Sequence, residues 1–402
     1  MLNQRIRQNA QYTFQYNSSM GRHGWLRLTP AYSVRLVEEI LSGLGDSPQC
    51  VLDPFSGTGT TELVCANKGI HSLALEINPF LVWLGNAKLK TYPAVKIVEF
   101  LNTAQNLIIE IDAFPPADFP SIHNIQRWWG AQQAEFLAKL KTAINTIQDA
   151  AVHQLLTVAF CRIVIELSNA AFNHVSTSFK EADDTMFSIE TGKETYLSIC
   201  RMVAQGAGIQ PLVSSEVLLH DARSIPSNYT GTYDTVITSP PYPNRISYIR
   251  ELRPYMYWTD YLKTSEQAAA LDWQTIGGTW GKATSLLATW ESNGALPQYV
   301  YDIADKISAA KNKSAGLMAR YVLKYFEDML THLTAVYSGL ASGGRVFYII
   351  GNSNFYSVTV PVERIYADIM QEIGFVNTKY EIVRKRNCNK QLYEFVVSAQ
   401  KA

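Results

Sequence analysis

Two short runs hold residue types that could do chemistry together. The first is Asp53–Pro54–Phe55–Ser56–Gly57–Thr58–Gly59–Thr60–Thr61. Two glycines after a strand let the backbone turn tightly and approach a ligand closely. The helix that follows offers unpaired N–H groups and a partial positive charge, which suit a carboxylate or phosphate. Asp53, at the strand tip, can accept hydrogen bonds from an ammonium or an ordered water. Glu76 lies 17 residues beyond Gly59 at the end of the next apolar run, where a carboxylate suits the two hydroxyls of a ribose. A plain turn with a surface glutamate would give the same pattern. The second run is Thr238–Ser239–Pro240–Pro241–Tyr242, directly after Thr235–Val236–Ile237. Two prolines cannot continue a central strand, so they fix a rigid turn at the carboxyl edge of a sheet. The Ser239 hydroxyl and the Pro240 carbonyl can accept hydrogen bonds, and Tyr242 offers a flat face. Together they could hold a planar ring bearing an –NH2 group, drive that nitrogen toward a tetrahedral shape and free its lone pair. The competing reading is a structural Pro-Pro turn.

Apolar periodicity predicts the elements that position these runs. A helix is expected from Pro30 to Ser42, with Thr29 as its cap. A strand Cys50–Asp53, a helix Thr60–Lys68 stopped by Gly69, and a strand His71–Glu76 make a βαβ unit, which implies a parallel sheet. Pro79 opens another helix. Residues 97–210 read as a helical insertion, with helices near 97–111, 132–147, 151–171 and 194–204. The frame resumes with strands at 216–220 and 234–238 and a helix at 245–262. Residues 263–315 read as loops and short helices. A long helix 317–340, a strand 345–350, a helix 362–373 and two alternating strands at 376–383 and 391–399 complete the chain. The α/β frame is thus expected in two parts, 1–96 and 211–402.

The paired motifs resemble those of the amino-group DNA methyltransferases, which make N4-methylcytosine or N6-methyladenine. DPFSGTGTT stands here for the family's DPFxGxGT and TSPPY for its (S/D/N)PP(Y/F). The resemblance spans about residues 20–95 and 215–400. It implies an α/β fold: a Rossmann-like seven-stranded sheet whose last strand is antiparallel. It also implies S-adenosylmethionine as cofactor, with the methionine end at Gly57–Thr60, the ribose at Glu76, and the adenine near Asp221, Ala222 and Ile77. The amine held by Ser239, Pro240, Pro241 and Tyr242 would attack the methyl sulfonium in line, without a covalent enzyme intermediate. His23 to Pro30, including Thr29, occupies the place of the family's extra cofactor motif. Serine before Pro-Pro favours cytosine N4 over adenine N6. The motif order, with the insertion between Glu76 and Asp221, leaves 97–207 and 263–315 both open as the target-recognition region. No Pro-Cys nucleophile follows the fourth strand, which disfavours C5-cytosine chemistry.

The partner implied is DNA with its target base flipped out of the duplex. Arg245, Arg250 and Arg253 could meet phosphates, though a solvated helix face explains them equally. Asn169–Lys180 forms a polar loop, Trp128–Trp129 could stack on bases or sit in the core, and Arg384–Lys385–Arg386 could bind phosphate. A formal net charge of zero argues mildly against nucleic acid. The 402 residues are 47% hydrophobic and 17% charged, enough for a sizeable core. No apolar run is long enough for a membrane span, and the first residues lack a secretory pattern, so a cytoplasmic enzyme is expected. The five scattered cysteines read as buried thiols, and no metal site is expected. The resemblance also suggests a cognate restriction endonuclease as partner. RNA methylation on a guanine amino group, and a non-catalytic cofactor-binding subunit, stay open as alternatives.

Overall fold

A computed structural model describes residues 7–26, 31–46, 48–171, 178–179, 187–244, 247–278, 282–386 and 391–402. Its frame is one seven-stranded sheet. The strands are β1 (Cys50–Asp53), β2 (His71–Glu76), β3 (Glu216–Leu219), β4 (Thr235–Thr238), β5 (Arg345–Gly351), β6 (Phe375–Lys385) and β7 (Tyr393–Lys401). Their order across the sheet is β6-β7-β5-β4-β1-β2-β3. Only β7 runs against the others, pairing antiparallel with β5 and β6. The order reverses at β1 and β4, and open α/β sheets bind ligands beyond the strand ends at such a switch.

Period-two alternation builds the two faces. Val51, Ile237 and Ile349 point to one side, against helices α1 (Val34–Ser42) and α2 (Thr60–Asn67). Leu52, Val236, Tyr348 and Ile350 point to the other, against a long helix, Ala315–Gly339, and Val362–Ile373. A second apolar body joins helices Pro79–Leu89, Ala94–Ile109, Ala131–Asn145, Ala150–Glu166, Ile189–Gly208 and Tyr248–Trp258. Residues 97–210 are therefore mainly helical. Residues 263–315 hold three short helices, Ser265–Gln274, Lys282–Thr289 and Gln298–Ser308.

Several boundaries differ from expectation. The helix expected from Pro30 begins at Val34, where the Ser33 hydroxyl accepts from Arg35 N at 3.2 Å; Thr29 and Pro30 lie outside the described residues. The helix expected to reach Ala171 ends at Glu166, because the Asn169 amide donates to the Trp128 carbonyl at 2.7 Å and draws the chain aside. Ala170–Ala171 then pairs with Ser178–Phe179. The base-stacking reading of Trp128–Trp129 is corrected: both rings are buried, and Trp129 Nε1 donates to the Val164 carbonyl at 2.8 Å. Cys65, Cys161 and Cys200 are buried, and burial pushes Cys200 up to about 12 and the half-buried Cys50 to about 11. Cys388 falls outside the described residues. Among the described residues, no helix is long and apolar enough to cross a membrane.

Candidate active site

The turn after β1 is built on left-handed backbone. Gly57 has φ +54° and Gly59 φ +72°, conformations that a side chain would strain. Gly59 also lies close against its neighbour, since a Cβ there would approach the Gly85 Cα at 3.5 Å. The turn is pinned to β2: Ser56 N donates to the Leu75 carbonyl at 3.0 Å, and Gly57 N donates to Glu76 Oε2 at 2.8 Å. Glu76 Oε1 accepts from Asn78 N at 2.8 Å. Each carboxylate oxygen thus holds one backbone N–H and keeps further lone pairs. Burial raises the Glu76 carboxyl to about 7, against the pull of those two amides.

Above the strand ends lies a cleft. Phe55, Ser56, Gly57, Thr58, Glu76, Ile77, Asp221 and Ala222 line it, and so do Ser239 and Pro241. Residues read from two motifs about 180 positions apart in the chain therefore face one space. Phe55 packs edge-on to His332 at 4.7 Å, and His332 bridges the Ala222 carbonyl (2.6 Å) and the Tyr348 hydroxyl (2.8 Å). Burial lowers His332 to about 4, so it is neutral at physiological pH.

Other residues of the first motif stand behind the cleft wall. Asp53 is fully buried, and its carboxylate accepts from Tyr32 Oη (2.7 Å), Thr238 Oγ1 (2.5 Å) and Phe55 N (3.0 Å). It ties the tips of β1 and β4 together and shapes the turn. Thr61 Oγ1 donates to the Ile237 carbonyl at 3.2 Å and contacts the Tyr32 hydroxyl; Thr60 is buried at the helix start. Thr58 presents its carbonyl to Lys88 Nζ at 2.7 Å. Behind the turn, Glu62 is fully buried, and burial raises its carboxyl well above the usual carboxylate range.

In the second motif, Ser239 Oγ donates to the Ile349 carbonyl at 3.0 Å, which leaves the hydroxyl's lone pairs to accept. Pro240 is buried, and the Pro241 carbonyl accepts from Tyr325 Oη at 2.8 Å. Tyr242 donates its hydroxyl to Glu394 Oε1 at 2.9 Å and its amide to Tyr248 Oη at 3.1 Å.

Beyond β3, Asp221 is paired with Arg223, whose Nε and Nη2 lie 3.0 and 2.6 Å from its two oxygens. Burial opposes this pairing, but the guanidinium and the Arg223 amide still hold the Asp221 carboxyl below its usual range. Arg250 and Arg253 sit half-buried on the helix after the Pro-Pro turn, and Arg253 Nε donates to the Arg250 carbonyl at 3.3 Å. Arg245 lies outside the described residues, as do most of the polar loop at 172–177 and Lys180. The phosphate reading of Arg384–Lys385–Arg386 is narrowed: Arg384 pairs with Glu394 at 2.7 Å, and Arg386 lies over the Tyr242 ring. Sequence reasoning missed Tyr32, Glu62, Lys88, Tyr325, His332 and Glu394. Apart from Glu62, which follows the first motif directly, these come from other elements, and no local spacing marks them.

The donor set fits S-adenosylmethionine. Glu76 offers two half-used carboxylate oxygens for a diol, Phe55 and Ile77 give apolar walls for a flat ring, and Asp221 lines the same cleft. A sheet in this order with its last strand reversed, closed by such a cleft, is that of the Rossmann-like methyltransferases, and S-adenosylmethionine is the cofactor of this class.

No protein-family model matches the chain. It is similar along most of its length to the Type II methyltransferase M.BsoBI of Geobacillus stearothermophilus, with 22% identity over 94% of this chain and 83% of the relative. The Type II methyltransferase M.AvaI of Nostoc sp. is likewise 22% identical, over 90% of this chain and 81% of the relative. A stretch of 67 residues is 34% identical to the Type II methyltransferase M.MjaII of Methanocaldococcus jannaschii, covering 17% of this chain and 13% of the relative. Along most of its length the chain is thus similar to Type II methyltransferases.

Proposed function

We propose that this chain methylates an exocyclic amino nitrogen of a DNA base, with cytosine N4 as the favoured target. The observation that carries the proposal is that Glu76 and Ser239 line one cleft. S-adenosylmethionine would supply an activated methyl group. The residues of the chain do the rest. Glu76 takes the ribose hydroxyls, Phe55 and Ile77 flank the adenine, and Asp221 meets its edge. Ser239 and the Pro240 carbonyl accept the amino hydrogens of the target, and the Tyr242 ring stacks on its base. A base inside a duplex cannot reach this cleft, so it must be flipped out. Serine before Pro-Pro supports cytosine. Arg250 and Arg253 stand on the helix beyond the turn, where a phosphate beside the flipped nucleotide would come; burial lowers Arg253 only to about 10, so it stays cationic. The helical residues 97–210 and the segment 263–315 are the candidates for target recognition. The Type II names of the relatives support a site-specific enzyme with a cognate endonuclease.

Methyl-labelled S-adenosylmethionine, purified protein and mixed bacterial DNA and RNA test this directly. Acid-precipitable label should vanish with DNase and survive RNase. Loss with RNase instead would move the substrate to RNA.

Glu76 gives the cofactor site a pH dependence. Its folded value of about 7 lies above the ordinary carboxylate value, so the folded protein takes up this proton as pH falls through 7. A neutral carboxyl accepts ribose hydroxyls less well than a carboxylate. Affinity for S-adenosylhomocysteine should therefore fall below pH 7, approaching roughly tenfold per unit, and level off above it. Lys88, lowered to about 7 by burial, titrates in the same window. Calorimetry on Glu76→Gln separates the two groups: the variant should bind weakly with a flat profile. An unchanged slope would assign the dependence to another group.

A further inference from the structure

Tyr242 is fixed by side chains far from it in sequence. Its hydroxyl donates to Glu394, 152 residues on, in β7. Glu394 is only 5% exposed, and its carboxylate also takes Arg384 Nε at 2.7 Å and Nη2 at 3.2 Å. The acid is therefore oriented by a guanidinium fork, which fixes the acceptor that the phenol meets. Over the ring, the Arg386 guanidinium carbon stands 5.0 Å from the centroid, and Arg386 Nη1 donates to the Asn352 carbonyl at 3.0 Å. Gly351 makes room for this stack: a Cβ there would lie 2.3 Å from Arg386 Nη1 and 3.0 Å from Tyr242 Cδ2. One edge and one face of the ring are thereby occupied by protein.

We propose that Glu394 and Arg386 are positioning residues of methyl transfer: Glu394 locks the hydroxyl edge of Tyr242 and Arg386 fills one face of its ring, so the target base stacks on the opposite face. The proposal rests on the methyltransferase reading given above. Neither residue touches the reacting atoms, so their effect should fall on kcat, with the KM for DNA and cofactor affinity nearly unchanged.

The test is a double-mutant cycle of Tyr242→Phe and Glu394→Gln. Initial rates are read with unmodified bacterial genomic DNA and labelled S-adenosylmethionine, and S-adenosylhomocysteine affinity by calorimetry. Each single variant should lose about tenfold in kcat, and the double variant should lose no more than either single, because one interaction has been removed twice. Arg386→Met should show the same kcat-against-KM split, and it serves as the second probe where Glu394→Gln does not fold. A double variant whose loss is the product of the two singles would overturn the coupling, and so would a Glu394→Gln enzyme with wild-type kcat. A second readout does not need the DNA reaction. In protein labelled with ring-13C tyrosine, the Tyr242 signals are those absent from Tyr242→Phe. They should be two separate lines in the wild type and merge in Glu394→Gln as the ring is released. If the wild type transfers no methyl group to DNA, the proposed function fails while these lines still test the lock, and lines unchanged in Glu394→Gln would overturn it.

Discussion

Ser239→Ala is expected to lower kcat for methyl transfer by about 100-fold or more, with cofactor affinity within about twofold of wild type. With the Ser239 hydroxyl proton donated to the Ile349 carbonyl at 3.0 Å, its oxygen is free to accept toward the cleft. An acceptor fixed in that state meets an amino hydrogen without first reorganising. Its value rises as the amine turns tetrahedral, because the interaction strengthens on the way to the transition state. The substitution removes the acceptor and leaves the frame intact. Pro240 and Pro241 keep the turn rigid, and the Tyr325 hydroxyl still takes the Pro241 carbonyl at 2.8 Å. The split identifies the role: a fall in kcat with unchanged S-adenosylhomocysteine binding marks an interaction made in the transition state. Equal losses in binding and rate would instead make Ser239 part of the cofactor pocket.

The second large effect falls on stability. Arg22 is 2% exposed, and it donates to the carbonyls of Gly206 (3.0 Å), Lys88 (2.6 Å), Lys90 (2.6 Å) and Ala207 (2.9 Å). These carbonyls lie at the carboxyl ends of helices Pro79–Leu89 and Ile189–Gly208, where backbone acceptors lack intrahelical partners and carry partial negative charge. Burial lowers the guanidinium to about 10, so it is still cationic at neutral pH. One side chain thus joins the helix after β2 to the last helix of the 97–210 region. The fit is tight: a Cβ on Gly206 would lie 2.5 Å from Trp25 Nε1. Arg22→Met keeps the bulk and strands the Lys88 and Lys90 carbonyls, while Gly206 keeps Ile209 N and Ala207 keeps Gln210 Nε2, at a cost of about 3 kcal/mol. Arg22→Lys should recover only a fraction, since an ammonium cannot span two helix ends as a planar fork does. Urea unfolding followed by circular dichroism measures both. A loss below about 1 kcal/mol for Arg22→Met would mean that water satisfies those carbonyls.

The frame was legible in the sequence because its signals are local. Alternating apolar residues at Val51–Leu52 and Val236–Ile237, a glycine turn at Gly57–Gly59 and an acid at Glu76 are fixed by short-range geometry. The β6–β7 hairpin could be read from alternation alone, and its register with β5 closes the sheet. Helix ends were less legible, because side chains far away decide them: the Trp128 carbonyl pulls Asn169 off its helix axis, and Ser33 rather than Thr29 starts the helix expected from Pro30. The candidate site divides in the same way. The motif residues that line the cleft could be named from spacing. Asp53 could not be placed correctly, because an acid at a strand tip looks the same whether it faces a ligand or, as here, Tyr32 and Thr238. Glu394 and Tyr325 carry no local mark, and the basic run that holds Arg386 pointed to phosphate rather than to a tyrosine ring; only the folded sheet brings β7 and the long helix Ala315–Gly339 to the Pro-Pro turn.

The measurement that tests the central claim most directly is nucleoside mass spectrometry on DNA from cells producing the wild type or the Ser239→Ala, Tyr242→Ala double variant. The account predicts N4-methylcytosine with the wild type and none with the double variant. N6-methyladenine with the same dependence would keep the site and change the base. No modified DNA base from a folded, cofactor-binding wild type, or equal modification by the double variant, would contradict the account.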